Sequence, residues 1–190
     1  MRKRTALYSL TLAMVLFIIT SVMAKDQSST SSQTSSACDS FGFGVVKPQA
    51  ERKAPSFCLK TLDGNEVVLD GLKGKYILLK FWATWCPTCL EELPMMQKFS
   101  EGRRDQLAIL LAAIDGEKEK KVRRLIQEHK MTLPVLLDPK AKTARSYGVN
   151  FVPISFLISQ EGLIVGTVVG ERDWVSQKAW SAVKELFNLR

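Results

Sequence analysis

Apolar and polar positions from residue 54 onward follow strand-like and helix-like patterns in alternation. Short, largely apolar runs predict seven strands, at Phe57–Thr61, Glu66–Leu69, Tyr76–Trp82, Leu107–Ile114, Val135–Leu137, Ile154–Ile158 and Leu163–Val169. Wider apolar spacing predicts helices at Pro87–Phe99, Glu117–His129 and Ala141–Tyr147, and in the stretch between Trp174 and Phe187. This alternation predicts an α/β fold, and turn signals at residues 63–64 and 160–162 predict two β-hairpins within a mixed sheet.

The first 24 residues have a different pattern. A basic segment, residues 2–4, precedes an apolar run over residues 6–23, and the small residue Ala24 follows. These are the three parts of a secretory signal peptide, although the run also approaches the ~20 residues that span a bilayer. Residues 1–24 are therefore predicted to be a signal peptide or an uncleaved membrane anchor. Either one places the rest of the chain in the periplasm or elsewhere outside the cytoplasm.

The next segment, residues 25–45, is rich in Ser at its start and is predicted to be a flexible tether. With an uncleaved anchor it would hold the folded domain, predicted over residues 46–190, near the membrane. The formal net charge is +8, but residues 2–4 carry three of the positive charges, and acidic residues lie among the others. Because no concentrated basic stripe results, a nucleic-acid partner is not expected.

The four cysteines and the single histidine restrict the chemistry. One histidine excludes a site that needs two or more His ligands, and four cysteines are too few for a disulfide scaffold. Cys86 and Cys89 follow a predicted buried strand and begin a predicted helix. At the helix N-terminus Cys86 is favoured as a thiolate, the reactive form, while Cys89 lies one turn further on and can resolve a mixed disulfide.

Half of a zinc site and a passive structural pair are the alternatives for these two cysteines. Zinc needs four ligands, and Cys38, Cys58 and His129 provide no second closely spaced pair. A redox-active disulfide beside a βα pattern is therefore the favoured interpretation. It requires neither a metal nor an organic cofactor.

These residues resemble the thioredoxin superfamily and, within it, exported thiol–disulfide oxidoreductases of the TlpA/ResA/DsbE type. The resemblance covers roughly residues 54–186. It rests on Ala-Pro-Ser-Phe at 54–57, Leu-Asp-Gly at 62–64, Phe-Trp-Ala-Thr-Trp-Cys-Pro-Thr-Cys at 81–89, Leu-Pro-Val-Leu-Leu-Asp at 133–138, Tyr-Gly-Val at 147–149, Val-Pro at 152–153 and Phe-Leu-Ile at 156–158. It implies a thioredoxin-like fold, with a mixed central sheet flanked by helices and an N-terminal β-hairpin.

The resemblance also implies roles for residues around the cysteine pair. Pro153 matches the family's cis-proline, and the residues expected to bind substrate are Trp85, Pro87, Thr88, Val152 and Pro153. Glu92 matches an acidic residue that the family places near the cysteines. Because it follows Cys89 by three residues, it can share a helix face with it and move protons. The alternative is an ordinary surface charge near a helix start.

Three further residues keep more than one interpretation. Lys80, in a buried strand, could favour thiolates, pair with Glu92 or extend its charge to solvent from the strand end. Cys38 and Cys58 lie outside the family's motif. In an oxidising compartment they could form a structural disulfide, but a free buried Cys58 or an exposed, exchanging Cys38 are alternatives.

The expected function is disulfide exchange with client proteins, as a reductant supplied by a membrane electron donor of the thiol-reductase type. Cytochrome c maturation is one process in which such relatives reduce clients. Two other classes of protein share part of these features. A peroxiredoxin-like peroxide reductase shares the Ala-Pro-x-Phe opening but uses a cysteine without a partner three residues on. A copper-delivery chaperone of the same fold would need a distant ligand, for which His129 is the only histidine.

Overall fold

The computed structural model describes residues 42–189 of the chain. The predicted leader, most of the predicted tether and Cys38 lie outside these residues. Within residues 42–189, no helix combines the length and the apolar character needed to cross a membrane.

The described part of the chain forms a mixed, eight-stranded sheet. Its strands are β1 Val45–Val46, β2 Cys58–Thr61, β3 Glu66–Val68, β4 Tyr76–Trp82, β5 Leu107–Ala113, β6 Val135–Leu137, β7 Ile154–Ile158 and β8 Ile164–Val169. They are ordered β1-β8-β7-β4-β5-β6-β2-β3. Strands β4, β5 and β6 run parallel, and the other neighbouring pairs are antiparallel. The predicted N-terminal hairpin is β2–β3.

Within residues 42–189, four α-helices accompany the sheet: α1 Pro87–Ser100, α2 Glu119–Glu128, α3 Lys142–Ser146 and α4 Gln177–Phe187. Short 3-10 turns lie at Leu69–Leu72, Gly116–Lys118 and Pro139–Ala141. Helix α1 connects β4 to β5, as parallel neighbours require a crossover. The fold is therefore the thioredoxin-like α/β arrangement that the sequence predicts.

The central strand β4 explains why the core has two halves. All its residues after Tyr76 are buried, because the strand has neighbours on both sides and covering layers on both faces. Successive side chains point to opposite faces. Leu78 and Trp82 face a core built with α1, α2 and α4, here called the helical face. Leu79 and Phe81 face the other core, here called the aromatic face.

The aromatic face centres on three rings. Phe81 lies 5.4 Å from Tyr147 and 5.9 Å from Phe156, and the last two rings are 5.1 Å apart. Leu59 of the β2–β3 hairpin and Ala144 of α3 belong to the same core. This half of the molecule is held together by apolar packing.

Strand β1 was not predicted, and it changes where the domain begins. Val45 pairs with Val168 of β8, and Phe43 packs on the Trp174 ring at 5.0 Å. Both residues are buried. Residues 42–45, which the sequence analysis placed in the tether, therefore lie in the folded domain. A two-residue strand has no periodicity, and its pairing with β8 is made by backbone groups.

Candidate active site

Cys86 and Cys89 form a disulfide at the point where β4 gives way to α1. Cys86 is the N-cap residue, Pro87 is the first helical residue, and the Cys89 backbone N–H donates to Cys86 Sγ at 3.2 Å. Proline suits this position because its missing N–H would have no partner inside the helix. The helix start therefore presents unpaired N–H groups and the positive end of its dipole to Cys86, which stabilises a thiolate.

The two sulfurs differ in access. Cys86 retains 5% of its surface exposed, whereas Cys89 is 0% exposed. Cys86 Sγ also lies 3.6 Å from Thr88 Oγ1 and 3.8 Å from the Val152 carbonyl oxygen. A disulfide or thiol from another protein can therefore reach Cys86, and Cys89 is placed to react from within.

The opposite side of the disulfide is formed by the turn before β7. The Val152–Pro153 peptide bond is cis, Pro153 is buried, and the Val152 carbonyl faces Cys86. Next to these residues two large apolar side chains face solvent: Trp85 is 57% exposed and Phe151 is 54% exposed. Trp85 directly precedes Cys86 and Phe151 directly precedes Val152, so both parts of the site adjoin an exposed apolar side chain, as is common at protein-binding surfaces.

The loop that leads into Cys86 is held by Asp115, a residue the sequence analysis did not select. Its carboxylate accepts hydrogen bonds from the Thr84 backbone N–H at 3.1 Å and from Thr84 Oγ1 at 2.6 Å, and both residues are buried. Asp115 follows β5, which runs parallel to β4. Since the carboxyl ends of parallel neighbours meet at one edge of a sheet, an acidic residue just after β5 was a usable signal.

Glu92 and Lys80 form a buried ion pair on the helical face. Lys80 Nζ lies 2.6 Å from Glu92 Oε2, and the two side chains are 1% and 0% exposed. Neither residue is therefore a solvent-exposed charge, and of the interpretations left open for Lys80 the pairing with Glu92 is the one observed. Burial lowers the pKa of the Lys80 ammonium, and the negative charge of Glu92 opposes that shift.

The other carboxylate oxygen of Glu92 is held from the β8–α4 loop. Glu92 Oε1 accepts hydrogen bonds from Trp174 Nε1 at 2.8 Å and from the Arg172 backbone N–H at 3.0 Å. The Arg172 side chain in turn donates from Nε to the Phe43 carbonyl at 3.0 Å. No local sequence pattern predicts these contacts, because Arg172 and Trp174 follow Glu92 by 80 and 82 residues.

The remaining predicted residues lie elsewhere. Cys58 begins β2, exposed and without a disulfide partner among residues 42–189, so its pairing with Cys38 stays a prediction. His129 follows the last residue of α2. Within the described range no group of three or more His, Cys, Asp or Glu side chains is arranged to hold a metal ion.

Comparison with protein families matches residues 50–167 to the AhpC/TSA family. Among curated proteins, the chain is 37% identical over 124 residues to the thioredoxin-like protein YneN of Bacillus subtilis, covering 64% of this chain and 72% of that protein. It is 32% identical over 126 residues to the thiol-disulfide oxidoreductase ResA of Bacillus thuringiensis, covering 66% of this chain and 73% of ResA.

Solved structures give the same result. StoA from Bacillus subtilis is similar with a TM-score of 0.59 and 29% identity, over 67% of this chain and 97% of StoA. A thiol:disulfide interchange protein of the thioredoxin family from Chlorobium tepidum has a TM-score of 0.62 and 27% identity, over 73% of this chain and 98% of its own. The chain therefore belongs to the AhpC/TSA family and is a thiol–disulfide oxidoreductase of the thioredoxin-like type.

Proposed function

We propose that the Cys86–Cys89 pair exchanges disulfides with client proteins outside the cytoplasm and works as a reductant. The Cys86 thiolate attacks a client disulfide, forms a mixed disulfide and releases one client thiolate. Cys89 then attacks Cys86 Sγ, releases the second client thiolate and closes the Cys86–Cys89 disulfide. The client gains two electrons and the pair loses two.

The difference in access between the two sulfurs carries this proposal. Cys86 is the more accessible member of the pair and caps the helix, and the exposed apolar side chains of Trp85 and Phe151 directly precede Cys86 and Val152 in the chain. Thr88, Pro87 and the Val152–Pro153 turn complete the proposed substrate contacts. Cys89 is buried behind them and lies beside Cys86, so it reacts with Cys86 Sγ once Cys86 holds the client.

We propose that Glu92 assists the proton transfers of this cycle. It follows Cys89 by one turn of α1 and is buried with it. A buried carboxylate about one helical turn from Cys89 can take up the proton of the Cys89 thiol as the disulfide closes and return it as the disulfide opens.

The location and the electron source are proposed from the sequence. The leader pattern of residues 1–24 supports an extracytoplasmic domain, either secreted or anchored in the membrane by that apolar segment. A reductant there needs new electrons after each cycle, so we propose a membrane thiol reductase as donor. We propose cytochrome c maturation as one process in which the protein reduces such disulfide-bonded clients.

A Cys89→Ala variant tests the roles of the cysteines. It should retain the client on Cys86 as a mixed disulfide, because the resolving thiol is missing. Cys58→Ser is the matched control, since Cys58 is exposed and lies outside the site. Trapping that depends on Cys58 rather than on Cys86 would contradict the proposal.

The reduction potential of the Cys86–Cys89 pair tests the direction. A value as oxidising as about −120 mV would refute a reductant. Turnover of hydrogen peroxide by Cys86 alone would support a peroxide reductase instead, and tight stoichiometric copper binding lost in His129→Ala would support a copper chaperone.

A further inference from the structure

Lys80 stands out among the buried residues of β4. Its six neighbours in the strand are Tyr76, Ile77, Leu78, Leu79, Phe81 and Trp82. Desolvating an ammonium is expensive, and replacing a buried ion pair by apolar residues of similar volume is often neutral or stabilising. The pair of Lys80 with Glu92 is thus weak as a source of stability, and its position next to the cysteines suggests another use.

The surroundings of Lys80 contain few charges. Besides Glu92 on α1, the acidic group that acts on its ammonium is Glu171 in the β8–α4 loop. The Trp174 ring lies 5.8 Å from Nζ. On the neighbouring strands, Lys80 pairs in register with Leu111 of β5 and Ser155 of β7. The positive charge of Lys80 is therefore directed mainly at Glu92.

We propose that Lys80 is a positioning residue of the thiol–disulfide reaction, acting through Glu92 on the cysteine pair. Its ammonium holds Glu92 Oε2 while Trp174 Nε1 and the Arg172 N–H hold Oε1, so the carboxylate has one orientation. The same ammonium offsets the negative charge of Glu92 inside the core, where Cys89 is also buried. This inference rests on the proposed function of Cys86 and Cys89.

The charge balance matters because reduction of the disulfide creates thiolates. Glu92 follows Cys89 by three residues, an axial rise of about 4.5 Å along a helix. Without a counter-charge, an ionised carboxylate at this distance would disfavour a thiolate and so favour the disulfide. With Lys80 in place the pair is neutral overall, and the reduced state does not face an isolated negative charge.

The test uses Lys80→Met, Glu92→Gln and the double variant, with Ser155→Ala as matched control. Ser155 is buried beside Lys80, and its hydroxyl has no hydrogen-bond partner among residues 42–189, so its loss leaves the ion pair intact. Two quantities are measured: the equilibrium constant with glutathione, and the rate of Cys86 alkylation against pH. Thermal unfolding of each variant is followed in parallel.

Lys80→Met should shift the glutathione equilibrium about tenfold toward the disulfide, equivalent to about 30 mV. Its alkylation profile should move to higher pH, because a negative charge without its counter-charge disfavours the thiolate. The double variant should lose that displacement and return toward the wild-type equilibrium, and Ser155→Ala should match the wild type.

An unchanged equilibrium and pH profile in Lys80→Met, with only a lower unfolding temperature, would show a purely structural role and overturn the inference. If Lys80→Met does not fold, Lys80→Gln replaces it. The Gln amide can still donate a hydrogen bond to Glu92 Oε2 but carries no charge, so the same shift of the glutathione equilibrium is expected, and a wild-type equilibrium would overturn the inference. A wild-type protein without any exchange at Cys86 would instead refute the proposed function.

Discussion

The two faces of the sheet share their strands but differ in chemistry. From β4, Lys80 and Trp82 point to the helical face, together with the cysteine pair and Glu92, while Leu79 and Phe81 point to the aromatic face. The helical face contains buried charge next to a reactive disulfide. The aromatic face contains packed rings. The alternation of one strand thus separates the residues that react from those that stabilise.

This separation means that the two faces should respond differently to substitution. On the helical face, changes near the disulfide should alter exchange more than stability. On the aromatic face, changes should alter the free energy of unfolding and leave the reduction potential unchanged. Four substitutions test the difference.

Cys86→Ser should have the largest effect. Loss of the nucleophile should lower the rate of disulfide exchange at least about a thousandfold, since no other described group can replace it. Compared with the reduced wild type, the unfolding midpoint in urea should change little. Cys58→Ser should exchange at the wild-type rate, and a comparable loss there would contradict the assignment of the reactive thiol.

Phe156→Ala should give the largest change in stability. The ring is buried and contacts Phe81 and Tyr147, so its removal should cost about 3–5 kcal/mol in urea unfolding. The reduction potential should remain that of the wild type. Phe151→Ala removes an exposed ring and should stay within about 0.5 kcal/mol. A shifted potential in Phe156→Ala would show that the faces are not independent.

Asp115→Asn should have an intermediate effect, because it weakens the support of the loop before Cys86. The amide cannot accept from both Thr84 groups as the carboxylate does, so we expect a loss of about 1–3 kcal/mol and slower exchange. Asp70→Asn is the comparison: that carboxylate is exposed, and the hydrogen bond from Lys73, with a second from Ser56, lowers its pKa. Unfolding of Asp70→Asn should match the wild type, and equal losses in both variants would contradict a special role of Asp115.

Tyr147→Phe should have the smallest effect. The Tyr147 hydroxyl is buried without a hydrogen-bond partner among the described residues, so its removal should leave stability unchanged or raise it by up to about 1 kcal/mol. Burial raises the pKa of this phenol. Above about pH 10 the unfolded chain therefore loses the proton first, and stability falls with rising pH. Tyr147→Phe should show a smaller alkaline loss, and an identical one would contradict the assignment.

The central elements were predictable because their signals are local. Strand β4 was predicted with its observed bounds, since seven largely apolar residues end at a turn before Pro87. The start of α1 followed from the proline and from the cysteine before it. Parallel pairing and two-sided burial follow from the same continuous run.

The parts that escaped prediction depend on distant residues. Strand β1 forms through backbone pairing with β8, and no pattern in two valines reveals it. Lys80 allows three interpretations from the sequence alone, because the strand pattern does not show which residues face it. Glu92 and the β8–α4 loop decide the matter, and they reach Lys80 only in the folded chain.

The hydrogen bond from the Cys89 N–H to Cys86 Sγ links helix order to the redox cycle. In the oxidised protein the acceptor is a neutral disulfide sulfur, whereas a Cys86 thiolate in the reduced protein would be a stronger, charged acceptor. Reduction thus removes a covalent closure of the first turn of α1 and strengthens its cap at the same moment. The Cys89 amide should be protected from hydrogen exchange in both redox states, so the first turn of α1 should stay folded throughout the reaction cycle.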